Sequence, residues 1–158
     1  MPVSDDGIRK LSIVVFSGAF DRVHYALVMA AAALATNVPV TLFFTMGGAR
    51  ALMKPGDDGR PGWTHHLSDA NLDLRFAERG VGTFEDLLSA CVTLGATVMV
   101  CEMGLRAMSL TLSDLRPDVP ISTGGMVTFL ADASRDGAIV FVLTEPIPST
   151  LRTRSERG

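Results

Sequence analysis

Four apolar runs that alternate with helical patterns constrain the fold of this chain more than any other feature. The runs are rich in β-branched and aromatic residues and stand at 11–16, 38–44, 96–100 and 138–143. Such continuous runs predict strands that are buried on both faces. Helical patterns lie between them, so the economical arrangement is a parallel sheet with right-handed crossovers. We therefore expect an α/β fold, a flavodoxin-like three-layer sandwich with a four- to five-stranded, mainly parallel sheet.

Length and charge narrow the class of protein. With 158 residues the chain suits a single domain over 1–158, whose core spans about residues 10–143. The net charge of −3 predicts neither nucleic acid nor an anionic membrane as a partner. The apolar stretch Val23–Leu34 is about half the length that a bilayer requires, so we expect no membrane span. Two aspartates near the start of the chain argue against a signal peptide. We therefore expect a cytoplasmic protein.

Local signals predict where several elements begin and end. Asp21 is a plausible N-cap for a helix over 22–36. Thr83 starts a partial capping box for a helix over 84–94. A further short helix is expected over about 105–112, and Ile121 as a stub of strand before a helix over 126–134. The polar, proline- and glycine-rich segment 54–71 is too long for an ordinary connection and predicts a surface excursion or lid. Residues 1–9 and the tail from Thr144 onwards are expected to be loose.

Cys101 is the main candidate for chemistry. It ends the predicted strand 96–100 and opens the turn into the next helix, and this carboxyl edge is where parallel α/β sheets bind ligands. Backbone N–H groups at a helix start favour the thiolate, the form that attacks sulfur. The carboxylate of Glu102 disfavours the thiolate by raising the pKa of a nearby thiol, and the positive charge of Arg106 can offset this effect. The chemistry requires that solvent reach the sulfur atom, and the alternative is a buried thiol that only packs.

Cys91 is a possible second thiol, although its position favours a core role. It shares an apolar helical stripe with Phe84, Leu87 and Leu88. It precedes the strand that Cys101 ends, and a five-residue strand spans about 17 Å, well beyond disulfide reach. Direct pairing of the two thiols within one subunit is therefore not expected. In a reducing compartment, cysteines more often are redox-active or inert thiols than partners in a structural disulfide.

Four loops are expected to meet at the carboxyl edge of the sheet and to line a pocket there. They follow the successive predicted strands, and two of them precede helices with glycines that can cradle an anion. The candidate pocket residues are Ser17, Gly18, His24, Thr45, Gly47, Glu102, Met103, Arg106, Gly124 and Gly125. The sequence contains neither a P-loop nor a dinucleotide fingerprint and no zinc pattern, so no cofactor and no metal are predicted.

The order and spacing of these motifs resemble the DsrE/DsrF/DsrH-like proteins, and within them the subgroup labelled peroxiredoxin-like. The matching stretches are the Ser17-Gly18 turn, 30–34, 40–48, 84–91 and 101–108. The resemblance implies a flavodoxin-like fold, homo-oligomers and a thiol that passes on a persulfide, with Cys101 at the active position and Cys91 at the second. Arg106-Ala107-Met108 departs from the Arg-Gly-rich stretch of the relay members, and no peroxidatic motif precedes Cys101.

Three functions remain open on the sequence. The first is a sulfur-relay protein that carries or transfers a persulfide on Cys101 between donor and acceptor proteins or small sulfur species. The second is a small-molecule or partner-binding module without enzymatic activity. The third is a thiol redox protein that uses Cys101 and Cys91. An excess of apolar residues also favours a homo-oligomer.

Overall fold

The protein is an α/β three-layer sandwich of the flavodoxin-like kind, as the sequence predicts. The computed structural model describes residues 7–143. Its five strands are β1 (Leu11–Val15), β2 (Val40–Phe44), β3 (Thr97–Cys101), β4 (Ile121–Gly124) and β5 (Ala138–Val142). Its α-helices are α1 (Phe20–Ala35), α2 (Trp63–His66), α3 (Leu72–Glu78), α4 (Phe84–Thr93), α5 (Glu102–Ala107) and α6 (Met126–Asp132). Two 3-10 helices cover Met46–Leu52 and Leu112–Asp114.

All pairs in the sheet are parallel, and the strand order is β4-β3-β2-β1-β5. The chain steps in one direction from β1 to β4 and then returns across the whole sheet through α6 to place β5 beside β1. Right-handed crossovers that run in opposite directions must lie on opposite faces of the sheet. This order explains why α1 and α4 pack together on one face, the first face, while α6 lies on the other, the second face.

The two faces are covered very differently. On the first face a large core includes Ile13, Leu27, Phe44 and Leu88. On the second face the buried cluster is small, and Phe129 of α6 stacks on Phe43 with ring centroids 4.9 Å apart. The second-face cluster contains Val14, Phe43, Met99, Cys101 and Phe129.

Several predicted boundaries change in the structure. Helix α1 begins at Phe20 with Ala19 as its N-cap, so the assignment of Asp21 as the N-cap is wrong. Helix α5 starts three residues earlier than expected, directly after Cys101. Strand β4 continues beyond Ile121 through Gly124, because Val100 and Cys101 extend the ladder to Thr123 and Gly124. Thr83 caps α4 as predicted, and its side chain accepts a hydrogen bond from the Asp86 N–H at 3.2 Å.

The segment 54–71 is anchored to the body of the domain. Trp63 is 3% exposed and packs on Phe20 and Phe84, with centroids 5.4 Å and 4.5 Å away. Ser68 donates its N–H to the Gly18 carbonyl and accepts from the Phe20 N–H, which ties the segment to the turn after β1. Most of the first half of the segment is exposed, as expected for a surface excursion. The second half packs into the core through Trp63 and therefore does not form a lid.

The tail from Thr144 onwards and residues 1–6, which the sequence predicts to be loose, lie outside the described residues. Across residues 7–143, no helix combines the length and the apolar character that a bilayer crossing requires.

Candidate functional site

Cys101 lies at the end of β3 and caps the start of α5. Its Sγ accepts a hydrogen bond from the Gly104 N–H at 3.4 Å. The residue is only 3% exposed, and its neighbours in the second-face cluster are apolar. The expectation that solvent reaches this sulfur is therefore wrong for the structure as it stands. The strand position was predicted correctly, and the alternation of side chains along β3 places Cys101 on the second face with Met99.

The loops at the carboxyl edge are packed tightly against each other. A Cβ at Gly47 would lie 2.9 Å from the Gly18 nitrogen, so the loops after β1 and β2 touch through their backbones. Ser17 is buried, and its Oγ accepts a hydrogen bond from the Ala19 N–H at 3.1 Å. The hydroxyl therefore stabilises its own turn. At Gly104 a Cβ would overlap Thr45 Oγ1, so α5 leans directly on the Met46–Leu52 helix. These glycines serve close backbone approach.

The end of β4 completes this edge beside the thiol. Gly124 is the ladder partner of Cys101. A Cβ on Gly124 would stand 3.2 Å from the Met99 sulfur and 3.0 Å from Thr128 of α6. Gly125, the N-cap of α6, has nothing within 4 Å of its Cβ direction. The end of β4 and Gly125 therefore link the thiol directly to the helix that covers the second face.

The outer surface of α5 carries the remaining candidates from the loop after β3. Glu102, Met103 and Arg106 are exposed, and Met103 has 58% of its surface accessible. Gly104 and Leu105 are the buried residues of this helix. The charged side chains next to Cys101 thus lie on the solvent side of α5, whereas the thiol is buried on its inner side.

His24 belongs to a different part of the molecule. It is 3% exposed, its Nε2 lies 2.8 Å from the Gly82 carbonyl, and its ring packs on Phe20 and Phe76. It borders a cleft of about 670 Å³ along the outer side of α1, which Tyr25, Phe76 and Val142 also line. Cys101 is not among the residues that line this cleft. The inclusion of His24 in the same pocket as the thiol is therefore incorrect.

Cys91 is a core residue of the first face. It is fully buried, and its thiol donates to the Leu27 carbonyl with a sulfur–oxygen distance of 3.6 Å. Burial raises the pKa of Cys91 to about 11, which keeps it as the thiol near neutral pH. The sheet stands between Cys91 and Cys101, because the two belong to clusters on opposite faces. A pair made by these two thiols within one chain would require the sheet to be disrupted.

An ion network around Arg116 was not anticipated from the sequence. Arg116 makes paired hydrogen bonds of 2.7–2.9 Å to both Glu85 and Asp118, and Glu85 also accepts the Trp63 indole N–H at 2.8 Å. The hydrogen bond from Arg116 is the main reason why the pKa of Asp118 is lowered. A signal was present in Arg116-Pro117-Asp118, since the rigid proline holds two opposite charges two residues apart.

This network borders a cleft of about 350 Å³ between α4 and residues 116–119, and the cleft does not include Cys101 among its lining residues. Two carboxylates accept four hydrogen bonds from the guanidinium, in the paired geometry that makes such contacts strong. The network therefore ties together α4, segment 54–71 and the loop before β4. Among residues 7–143, no group of three or more histidine, cysteine or acidic side chains is arranged to hold a metal ion.

Comparisons with known proteins support the fold alone. No family model matches the chain, and no curated protein matches it. The fold is similar to that of MTH1491 from Methanobacterium thermoautotrophicum, a protein of unknown function. The TM-score is 0.53 at 13% sequence identity, and the match covers 84% of this chain and 97% of that one. At this level of identity the likeness extends to the arrangement of strands and helices.

Proposed function

We propose that the protein is a sulfur carrier that holds a persulfide on Cys101 in an enclosed apolar site. The observation that carries the proposal is the placement of this thiol. It ends a central strand at the carboxyl edge and receives the Gly104 N–H at its sulfur. The family resemblance in the sequence implies the same position for the active thiol. The burial of the sulfur changes the character of the site from an open nucleophile to a protected one.

The proposed step is balanced between two thiols. The Cys101 thiolate attacks the outer sulfur of a donor persulfide, R–S–SH, and the donor's S–S bond breaks. The donor leaves as the thiolate R–S⁻, and Cys101 becomes Cys–S–SH. Attack by an acceptor thiolate on the outer sulfur reverses the sequence and restores Cys101. Rates of such exchanges depend on the thiolate fraction and on access to the sulfur.

Enclosure suits a carrier better than a fast catalyst. Met99, Phe43 and Phe129 surround Cys101 with apolar surface, which excludes the water and small oxidants that destroy a persulfide. The same enclosure slows loading, because a donor reaches the sulfur only when the site opens. A carrier with a long-lived bound sulfur and slow exchange is the behaviour that this arrangement favours.

Mass spectrometry of the intact protein after incubation with polysulfide tests the proposal. We expect a mass increase of one sulfur atom, located on the peptide that contains Cys101 and removed by a small thiol. Cys101→Ser should abolish the increase, and Cys91→Ala, the matched control on the opposite face, should retain it. Loading that persists in Cys101→Ser, or an untouched wild-type protein after prolonged incubation, rejects the carrier.

A second candidate function, a partner-binding module, is favoured by exposed apolar side chains. Val127 is 83% exposed, Leu130 54%, Ile139 53% and Phe141 48%. They lie on α6 or on the second face of β5, since Phe141 is paired with Val14 of the second-face cluster. Exposed apolar surface of this kind marks interaction sites. We propose a second copy of this chain as the occupant, because β5 is also the edge strand of the sheet that residues 7–143 form, and it presents apolar residues.

Light scattering measures this association directly. A homo-oligomer that dissociates in Phe141→Asp, while Tyr25→Asp on the outer side of α1 leaves it intact, supports the apolar surface as its interface. Tyr25 is a matched control because it is a large aromatic residue with 63% exposure on a different surface. A wild-type monomer at high concentration contradicts the homo-oligomer.

A further inference from the structure

Helix α6 is held to the sheet by two separate anchors. The first is the stack of Phe129 on Phe43. The second is at the end of the helix, where Asp132 Oδ2 accepts hydrogen bonds from Thr41 Oγ1 at 2.6 Å and from Lys10 Nζ at 2.7 Å. Lys10 also donates to the Asp132 carbonyl at 2.8 Å. We call this polar contact the latch.

Helix α6 contributes to the apolar cluster that buries Cys101. Four of the five members of its cluster, Cys101 included, belong to strands, and Phe129 is the member contributed from outside the sheet. The first face differs, because α1 and α4 cover it together and contribute many core residues. Displacement of α6 would therefore uncover the second-face cluster while it leaves the larger core intact.

The start of α6 has the features of a pivot. The helix follows Gly124 and Gly125 without an intervening loop, and Gly124 is the residue paired with Cys101. Space around Gly125 is open, with no atom within 4 Å of its Cβ direction. Glycine has the widest range of backbone dihedral angles, and small residues at the ends of elements commonly absorb the rotations of a hinge.

We propose that α6 is a hinged cover over Cys101, pivoting at Gly125 and fastened by the latch that Asp132 forms with Lys10 and Thr41. Opening exposes the thiol to a donor or acceptor persulfide, and closing encloses the loaded sulfur. The proposal rests on the carrier function and supplies the step that it lacks, a route to the sulfur that does not require unfolding of the domain.

Thiol labelling of the full chain tests the cover, with Cys91 as an internal reference. N-ethylmaleimide is added to native protein at constant pH, and the two cysteine peptides are quantified over time by mass spectrometry. Cys91 lies in the main core and reports exposure by global unfolding. We expect Cys101 to react at least tenfold faster than Cys91 in the wild-type protein.

Variants of the latch give the decisive comparison. Thr41→Val keeps the branched shape and removes the hydroxyl donor to Asp132. Labelling of Cys101 should accelerate by at least about tenfold, which corresponds to the lower end of the strength of one hydrogen bond to a charged group, while labelling of Cys91 is unchanged. Lys10→Met should act in the same direction and provides a second variant if the first folds poorly. Leu88→Ala is the control, because it weakens the first-face core and should accelerate Cys91 at least as much as Cys101.

Two outcomes overturn the cover. One is equal labelling of both cysteines in the wild-type protein, since both thiols then become exposed only by global unfolding. The other is a Thr41→Val variant in which both rates rise together. The carrier function fails in a different way, because labelling of Cys101 that responds to the latch without any sulfur loading leaves the cover in place and removes the persulfide chemistry.

Discussion

Replacement of Gly104 by alanine should destabilise the protein even though alanine is the better helix former. The added Cβ would overlap Thr45 Oγ1 and come within 2.7 Å of the Met46 nitrogen and 3.1 Å of the Thr45 Cα. The threonine hydroxyl can rotate away, whereas the backbone atoms of Thr45 and Met46 cannot. Helix α5 must therefore shift outwards by about 0.7 Å to restore an ordinary contact.

The magnitude follows from two opposing effects. Overpacking of a close contact costs about 1–3 kcal/mol. Exchange of glycine for alanine inside a helix returns about 0.5–1 kcal/mol. Because the clash here involves backbone atoms rather than a flexible side chain, we take the upper part of the first range. The expected net loss is about 1–2.5 kcal/mol, which lowers the midpoint of thermal unfolding by about 2–10 °C for a chain of this size.

Thermal unfolding followed by circular dichroism measures the loss, and Gly82→Ala is the matched control. A Cβ at Gly82 would meet Leu87 at 3.6 Å, an ordinary contact, so this variant should stay within about 0.5 kcal/mol of the wild-type protein. The shift of α5 should also weaken the hydrogen bond from the Gly104 N–H to Cys101 Sγ. A Gly104→Ala protein as stable as Gly82→Ala refutes the close packing of α5 on the Met46–Leu52 helix.

Two further predictions concern the ion pairs. Arg116→Met removes a cation that is 9% exposed and leaves Glu85 and Asp118, whose carboxylates are exposed enough to regain water. The free energy of unfolding in urea should therefore fall by about 2–3 kcal/mol rather than by the 3–5 kcal/mol of a fully buried pair. A fall of less than about 0.5 kcal/mol contradicts this prediction. Burial alone would raise the pKa of Asp132, but hydrogen bonds from Lys10 and Thr41 outweigh it and hold that pKa below its usual 3.8. The carboxylate therefore stabilises the fold above pH 3.8, and this contribution is lost as the pH falls through the lowered pKa of the folded state. On acidification below pH 3.8, the wild-type protein should lose more stability than Asp132→Asn. Equal losses in the two proteins would exclude the latch as a charged contact.

The strands were predictable because each has a continuous apolar run that only a doubly covered sheet can bury. Strands β1, β2, β3 and β5 fall within one or two residues of their predicted ranges. The helix ends also follow local residue chemistry, since Asn37 and Gly95, residue types that tolerate positive φ, adopt φ angles of 63° and 94° just after α1 and α4. Local residue chemistry determines these features, so one sequence is sufficient to find them.

The missed features all depend on which distant segments meet. Trp63 stands in a polar, proline-rich segment, yet Phe20 and Phe84 receive it in the core. The pairing of Lys10 with Asp132 joins residues 122 positions apart, and no local pattern encodes it. The exposure of Cys101 was misjudged for the same reason, because the strand end is local but the helix that covers it arrives later in the chain.

The topology itself explains why the second face is the weaker one. Helices α1 and α4 belong to the crossovers between β1 and β3 and cover the first face. The long crossover from β4 to β5 contains a single seven-residue helix, α6. That helix buries Phe129 but leaves Val127 and Leu130 exposed, so it gains far less from packing than the sixteen-residue α1 does. Elements with few buried apolar contacts open at lower free energy than the global fold. A thiol placed under such an element is protected most of the time and reachable some of the time, which is the compromise that a carrier of a labile sulfur requires. Cys91, which belongs to α4 in the better-packed helix pair, has the first property without the second.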